Sequence, residues 1–282
     1  MKRISPIARW ITGVGTACVL ALGSVAAYAD AGALQGRYTE LKPQLQNNSY
    51  GRQLYIDSAE GSNTLRGDVY AVLDHPFEQV KDALQDPNAW CDIMLLPFNT
   101  KGCRASGNSL TVRIGRKWNS PIDQTYPISF AFSPGAASSD YLSTRLNAGQ
   151  GPFGTRDYRV NVEAVPLENG KTFMHMNYAY GYGGIGKFAM QAYLSTAGAN
   201  KAGFTSDGLR GAVERNAMRY YLAIDSYLDT MDAPAASRVD KRINQWFSAT
   251  ERYPRQLHEM DRGTYVSMKR ADYERQTTAS AQ

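Results

Sequence analysis

The sequence predicts an α+β protein in which an antiparallel sheet lies against a long helix near the C-terminus. Three observations predict it. Between Asn108 and Tyr182, five extended stretches are separated by clusters of Gly, Pro, Asn or Ser, which is the pattern of a meander. Within those stretches apolar and polar residues alternate, so one face of the sheet is apolar and must be covered. From Asp207 to Met231, the residues Leu209, Val213, Ala217, Tyr220, Ile224, Tyr227 and Met231 recur at spacings of three and four, giving a helix the stripe that covers such a face.

The chain starts with the features of an export leader. Lys2, Arg3 and Arg9 precede a mostly apolar run from Trp10 to Val25, and Ala27-Tyr28-Ala29 offers small residues for cleavage before Asp30. Cleavage after Ala29 and a periplasmic location are therefore expected. Gly13, Gly15, Thr16, Gly23 and Ser24 interrupt the run, which argues against an uncleaved membrane anchor. Lipidation of Cys18 is disfavoured by Gly15.

Processing changes the charge picture. Of 31 basic residues three leave with the leader, so 28 stand against 26 acidic ones. A balance of +2 makes no electrostatic case for nucleic acid. Cys91 and Cys103 are the cysteines left, and in an oxidising compartment such a pair reads as a disulfide, with two free buried thiols as the alternative.

Residues 33–46 carry Leu34, Tyr38, Leu41 and Leu45 at helical spacing, broken by Pro43, and are expected to form a short helix and linker. Arg52–Asp57 and Leu65–Leu73 read as a hairpin. Asp74 is expected to cap a helix carrying Phe77, Val80 and Leu84, with Pro76 in its first turn; Pro87 opens a second that Pro97 ends. The meander follows as 108–117, 124–133, 140–148, 158–165 and 172–182. A helical piece at 187–196 precedes the long helix, and a charged helical tail carries Val239, Ile243, Trp246 and Phe247, with more helix around Tyr265 to Arg275. The expected division is a leader at 1–29, an N-terminal helical linker at 30–50, one main domain at 51–232 and a C-terminal helical tail at 233–282.

Three segments carry a resemblance to a known superfamily: Gly67-Asp68-Val69-Tyr70-Ala71-Val72-Leu73-Asp74-His75-Pro76-Phe77, then Asp86-Pro87-Asn88-Ala89-Trp90-Cys91, and Arg215-Asn216-Ala217-Met218-Arg219-Tyr220-Tyr221-Leu222-Ala223-Ile224 on the long helix. With the order of elements, they resemble the START-like (SRPBCC) proteins and in particular exported proteobacterial members. The resemblance implies a helix-grip fold, a curved sheet wrapped around the C-terminal helix, with a cavity between them for lipids, sterols, polyketides or other apolar molecules. No catalytic motif is common to that superfamily, so the fold leaves activity open.

Residues expected to line such a cavity are Trp90, Phe130, Phe132, Tyr158, Met174, Met176, Tyr178, Tyr180 and Tyr220, with Asn216 as the polar contact. Met and Tyr alternating along 174–182 make an adaptable apolar wall with polar tips, although ordinary core packing explains the same pattern. Glu214, Arg215 and Arg219 read more simply as a solvated helix face. The turn-rich loop 149–155 suggests a lid with Phe153 as its plug.

If the protein is an enzyme, His175 and Tyr178 are the candidate acid or base groups, and alternation puts His175 on the face away from the cavity. Gly-x-Ser-x-Gly is absent. Gly181-Tyr182-Gly183-Gly184-Ile185-Gly186 formally matches a dinucleotide fingerprint but follows an antiparallel strand, so nucleotide binding is not expected. No cofactor is called for, and no histidine and carboxylate grouping at metal spacing is visible. The leading reading is a carrier for an apolar small molecule, with transient membrane contact compatible and oligomeric state open. A cyclase or hydratase and an interaction protein working through Trp246 and Phe247 are the alternatives.

Overall fold

A computed structural model describes residues 19–196, 198 and 201–280. Helix α1 (Val19–Gln46) leads into the hairpin β1 (Leu54–Glu60) and β2 (Thr64–Leu73). Two short helices, α2 (Phe77–Leu84) and α3 (Pro87–Leu95), precede six strands: β3 (Thr100–Ser106), β4 (Ser109–Ile114), β5 (Tyr126–Ala137), β6 (Leu142–Gln150), β7 (Thr155–Pro166) and β8 (Thr172–Tyr182). Helices α4 (Gly184–Leu194), α5 (Gly208–Leu228), α6 (Ala235–Thr250), α7 (Pro254–Leu257) and α8 (Arg262–Ser280) complete the chain.

All eight strands form one antiparallel sheet in the order β1-β2-β8-β7-β6-β5-β4-β3. The last strand of the meander, β8, pairs with β2 of the hairpin, and α5 crosses the inner face of the sheet they share. The architecture is the helix-grip fold. Helix and sheet approach closely at Gly67 on β2, where a Cβ would stand 3.2 Å from both the Ala217 Cβ and the Val213 carbonyl oxygen. A larger residue there would push α5 off the sheet.

Alternation builds the inner core. Leu65, Val69 and Ala71 of β2, Val160 and Val162 of β7, and Met174 and Met176 of β8 are all buried in one cluster with Val213, Ala217 and Ile224 of α5. The outer face departs from the expected polar surface. Tyr141, Val165 and Phe173 are buried on it beneath Ala31, Leu34, Leu41 and Leu45 of α1, with Tyr55, Tyr70 and Val72 packed alongside. Residues 31–45 of the expected N-terminal helical segment thus pack as a second layer on the sheet, and α1 runs on through Pro43 to Gln46.

Other elements differ locally from the sequence reading. Strand β3 lies outside the expected meander, because Thr100-Lys101-Gly102-Cys103-Arg104 lacks a clear alternation. Asp74 does not cap α2; Pro76 holds that position and Asp74 pairs with Lys171 at 2.6 Å. Asp86 does cap α3, accepting from the Asn88 N–H. A disulfide joins Cys91 on α3 to Cys103 on β3, with Cα atoms 5.1 Å apart.

The C-terminal helices share the inner core. Trp246 stacks on Tyr265 and donates to the Arg219 carbonyl oxygen, and Phe247 is buried beside them. These aromatics are therefore spent inside the molecule and present no surface to a partner, contrary to the interaction reading. Helix α8 reaches β3, where Lys269 Nζ donates to the Thr100 carbonyl oxygen and Gln276 Oε1 accepts the Cys103 N–H. Of the leader expected at 1–29, residues 1–18 lie outside the described residues and the rest belongs to α1. Among the described residues no helix is long and apolar enough to cross a membrane.

Candidate functional site

Five of the residues expected to line a cavity meet between sheet and helix. Tyr158 on β7 stacks on Tyr180 of β8 with centroids 5.3 Å apart, and Tyr178 stacks on Tyr220 of α5 at 5.5 Å. Tyr178 also meets Tyr158 and Tyr180 edge-on at 6.4 and 5.9 Å, and Phe130 of β5 meets Tyr158 at 6.4 Å. The alternation of β8 makes this possible, since Tyr178 and Tyr180 sit on the inner face while Asn177 and Ala179 do not.

The polar tips of this cluster are unequally served. Tyr158 Oη donates to Thr155 Oγ1 at 2.8 Å, and Tyr180 Oη lies 3.8 Å from Met190 Sδ on α4. The hydroxyls of Tyr178 and Tyr220 make no hydrogen bond among the described residues, and burial together with neighbouring phenols pushes both well above the ordinary tyrosine range. Both therefore stay neutral and can donate.

The other expected lining residues lie apart from the cluster. Trp90 is fully buried and its Nε1 donates to the Leu84 carbonyl oxygen, so it holds α2 against α3. Met174, Met176 and Phe132 are buried core residues of the same face. Asn216 is half-buried and its Oδ1 faces Arg219 at 3.4 Å. Phe153 does not plug the interior: it stands 39% exposed at a φ of 58°, edge-on to Tyr126 at 5.0 Å.

The charged residues of α5 are buried, where a solvated face was expected. Glu214 accepts from Ser58 Oγ and Thr205 Oγ1 at 2.6 Å and from the N–H groups of Phe204, Thr205 and Ser206. Arg215 donates to the carbonyl oxygens of Lys201 and Ala202, and Arg219 pairs with Glu259. Most of these partners come from the segment before α5 and from the C-terminal region, which together cover parts of α5 that the sheet leaves free. A buried charge paired in this way fixes the path of a chain segment.

His175 is on the outer face, as the alternation requires, so it and Tyr178 cannot act on one molecule. Its Nε2 meets Asp68 Oδ1 at 2.9 Å and its Nδ1 lies 3.5 Å from Glu163 Oε2. Asn177 donates to the same Asp68 oxygen, Tyr141 Oη donates to Glu163, and Tyr70 stacks on the imidazole at 4.2 Å. Burial would lower the His175 pKa, but the two carboxylates outweigh it and raise it. Burial likewise opposes the fall at Asp68, where bonds from His175 and Asn177 prevail; at Glu163 the His175 bond is the main cause of the lowering.

One grouping escapes the sequence reading. His75, at the β2–α2 corner, and Asp225 and Asp229, at the end of α5, bring ligand-type atoms within 4.8 Å of one another. His75 Nε2 is 3.1 Å from Asp229 Oδ1, Arg52 holds Asp225 at 2.9 Å, and Gln245 donates to Asp229. With a guanidinium already inside it, the group is a charge-balanced clasp between the hairpin and α5. Nothing local in sequence marks it, because its members come together only when α5 docks.

The strand order and the position of α5 define the chain as a helix-grip protein. Solved structures that it resembles include human StAR-related lipid transfer protein 5, at 10% identity over 71% of this chain and 97% of that one with a TM-score of 0.37. Others are a conserved protein from Geobacillus kaustophilus, at 15% identity over 58% and 95% with a TM-score of 0.34, and a protein from Thermus thermophilus, at 10% over 60% and 99% with a TM-score of 0.36. No family model and no curated protein matches the chain. The fold assignment rests on strand order and the position of α5.

Proposed function

We propose that this protein is a periplasmic carrier of an apolar small molecule, lipid-like or polyketide-like, held between the sheet and α5. The observation that carries the reading is the pair of hydroxyls on Tyr178 and Tyr220, set among stacked rings without a hydrogen-bond partner among the described residues. Tyr220 is only half-buried, and both neutral phenols can donate to a ligand. A ligand with one carbonyl or hydroxyl among apolar carbons would satisfy both and displace ring contacts for its own. The periplasmic part of the reading is supported by the leader-like residues 1–29 and fits the Cys91–Cys103 bridge.

Organic extraction of protein purified from its exported form, followed by mass spectrometry, is expected to release an apolar compound. A fluorescent fatty acid should be displaced by that compound, with roughly tenfold weaker binding after Tyr178→Phe and Tyr220→Phe together. An empty extract and no affinity for fatty acid or sterol probes would rule the carrier out. N-terminal sequencing of the exported product should begin at Asp30; a chain retaining residue 1 would remove the periplasmic element. The enzymatic alternative is weaker because His175 lies across the sheet from the tyrosines, bonded to Asp68.

A further inference from the structure

We propose that the end of the sheet formed by Tyr126, the 151–154 turn and the outer side of α4 docks onto an anionic lipid bilayer. The proposal stands whether or not the tyrosine cluster holds a ligand, since it concerns the outer surface alone. Large apolar side chains with substantial exposure gather here: Ile185 at 78%, Phe188 at 74%, Tyr126 at 43%, and Phe153 and Trp118 at 39% each. Strand ends place them together. Ile114 pairs with Tyr126 and Thr155 pairs with Tyr182, so the loops after β4 and β6 and the start of α4 project from one end of the sheet.

Contacts tie the pieces into a single tip. Phe153 packs on Tyr126, and Arg116 lies over the Phe153 ring at 5.9 Å. The Gly154 carbonyl oxygen accepts from the Gly183 N–H, and a Cβ at Gly154 would be 3.2 Å from the Gly186 nitrogen and 3.4 Å from the Ile185 Cβ. The glycines of the 181–186 run thus serve a close junction between turn and helix. Ile185 and Phe188, three residues apart, share one side of α4, while Met190 reaches the opposite way to Tyr180.

Charge selects the partner. Arg116, Lys117, Arg156 and Lys187 are exposed around these residues, against Asp123 and Asp157. Aromatic and aliphatic tips ringed by Lys and Arg suit the headgroup region, where rings enter the acyl boundary and long basic side chains reach phosphates. Protein interfaces, by contrast, are depleted in lysine. The apolar residues also protrude from separate elements instead of lining a groove, which fits a deformable surface better than a folded partner.

The test is hydrogen exchange of the full chain with and without vesicles of phosphatidylglycerol and phosphatidylethanolamine, with co-sedimentation in parallel. The apolar residues 10–25 are common to every variant, so location of the protection decides the matter. Protection is expected at 115–119, 151–154 and 184–190, and is expected to be lost in I185S/F188S, whose partitioning should fall roughly tenfold relative to a matched variant on the far side of the molecule. K187E with R116E should weaken binding at low salt and matter less at high salt. Vesicle binding without protection at these segments, or no vesicle binding, overturns the proposal. A dimer that the same substitutions abolish, with no vesicle binding, would assign the face to a second copy and overturn it equally.

Discussion

Strand β8 serves two faces that work by different physics. Inward, Met174, Met176, Tyr178 and Tyr180 pack among apolar and aromatic neighbours; outward, Phe173 sits under α1 and His175 sits between two carboxylates. The inner side of β8 is held by the volume and shape of its Met and Tyr side chains. The outer face combines a smaller apolar patch with an ion cluster whose strength depends on protonation. One strand thus carries an aromatic assembly on one side and a titratable brace on the other.

The largest effects should come from cutting volume. Met176→Ala is expected to cost about 2–5 kcal/mol by leaving a cavity under α5, and Phe173→Ala about 3–5 kcal/mol on the outer side. Urea unfolding measures both. They should differ in limited proteolysis, where only Phe173→Ala exposes α1 to cleavage while the rest stays folded; identical digests would erase the distinction between two separate cores.

Asp68→Asn should cost less, about 1–2 kcal/mol, by removing a charged partner of His175. The pH dependence follows from the directions of the shifts. His175 is raised, so its contribution is full below the unfolded value of about 6.5 and is lost as pH rises through the folded value. Asp68 and Glu163 are lowered, so theirs is full above about 4 and is lost on acidification. The brace is therefore strongest between those limits. An NMR titration of His175 should show a midpoint above about 6.5 that drops in Asp68→Asn; an unchanged midpoint would separate the two groups.

The smallest change is expected from Glu163→Gln. Its carboxylate is half-exposed and lies at 3.5 Å. The variant should therefore shift stability by a few tenths of a kcal/mol and move the His175 midpoint less than Asp68→Asn does. A larger shift than that of Asp68→Asn would reverse the ranking of the two carboxylates.

Much of the inner face was legible because a period of two is written directly in β4, β5, β7 and β8. The outer core was not, although it left a trace: Tyr70-Ala71-Val72-Leu73, Ala164-Val165 and Phe173-Met174 are unbroken apolar runs, as expected where both faces are covered. Buried Glu214, Arg215 and Arg219 were unreadable for another reason. Charge in sequence says nothing about burial until a remote partner is known, and theirs arrive from residues 201–206 and 259. Of the candidate site, the tyrosines on the strands followed from alternation; the outward place of Phe153 depends on a left-handed turn that the residue itself does not announce.

The C-terminal helix also bears on how these molecules live beside one another. Strand β3 is the last in the sheet, and an uncovered last strand is a template on which another chain can extend the ladder. Gln276 occupies the free Cys103 N–H and Lys269, a lysine held down to about 7 by burial, occupies the Thr100 carbonyl. The helix acts as a stopper, so a chain shortened before Arg262 should reveal its loss through aggregation at high concentration.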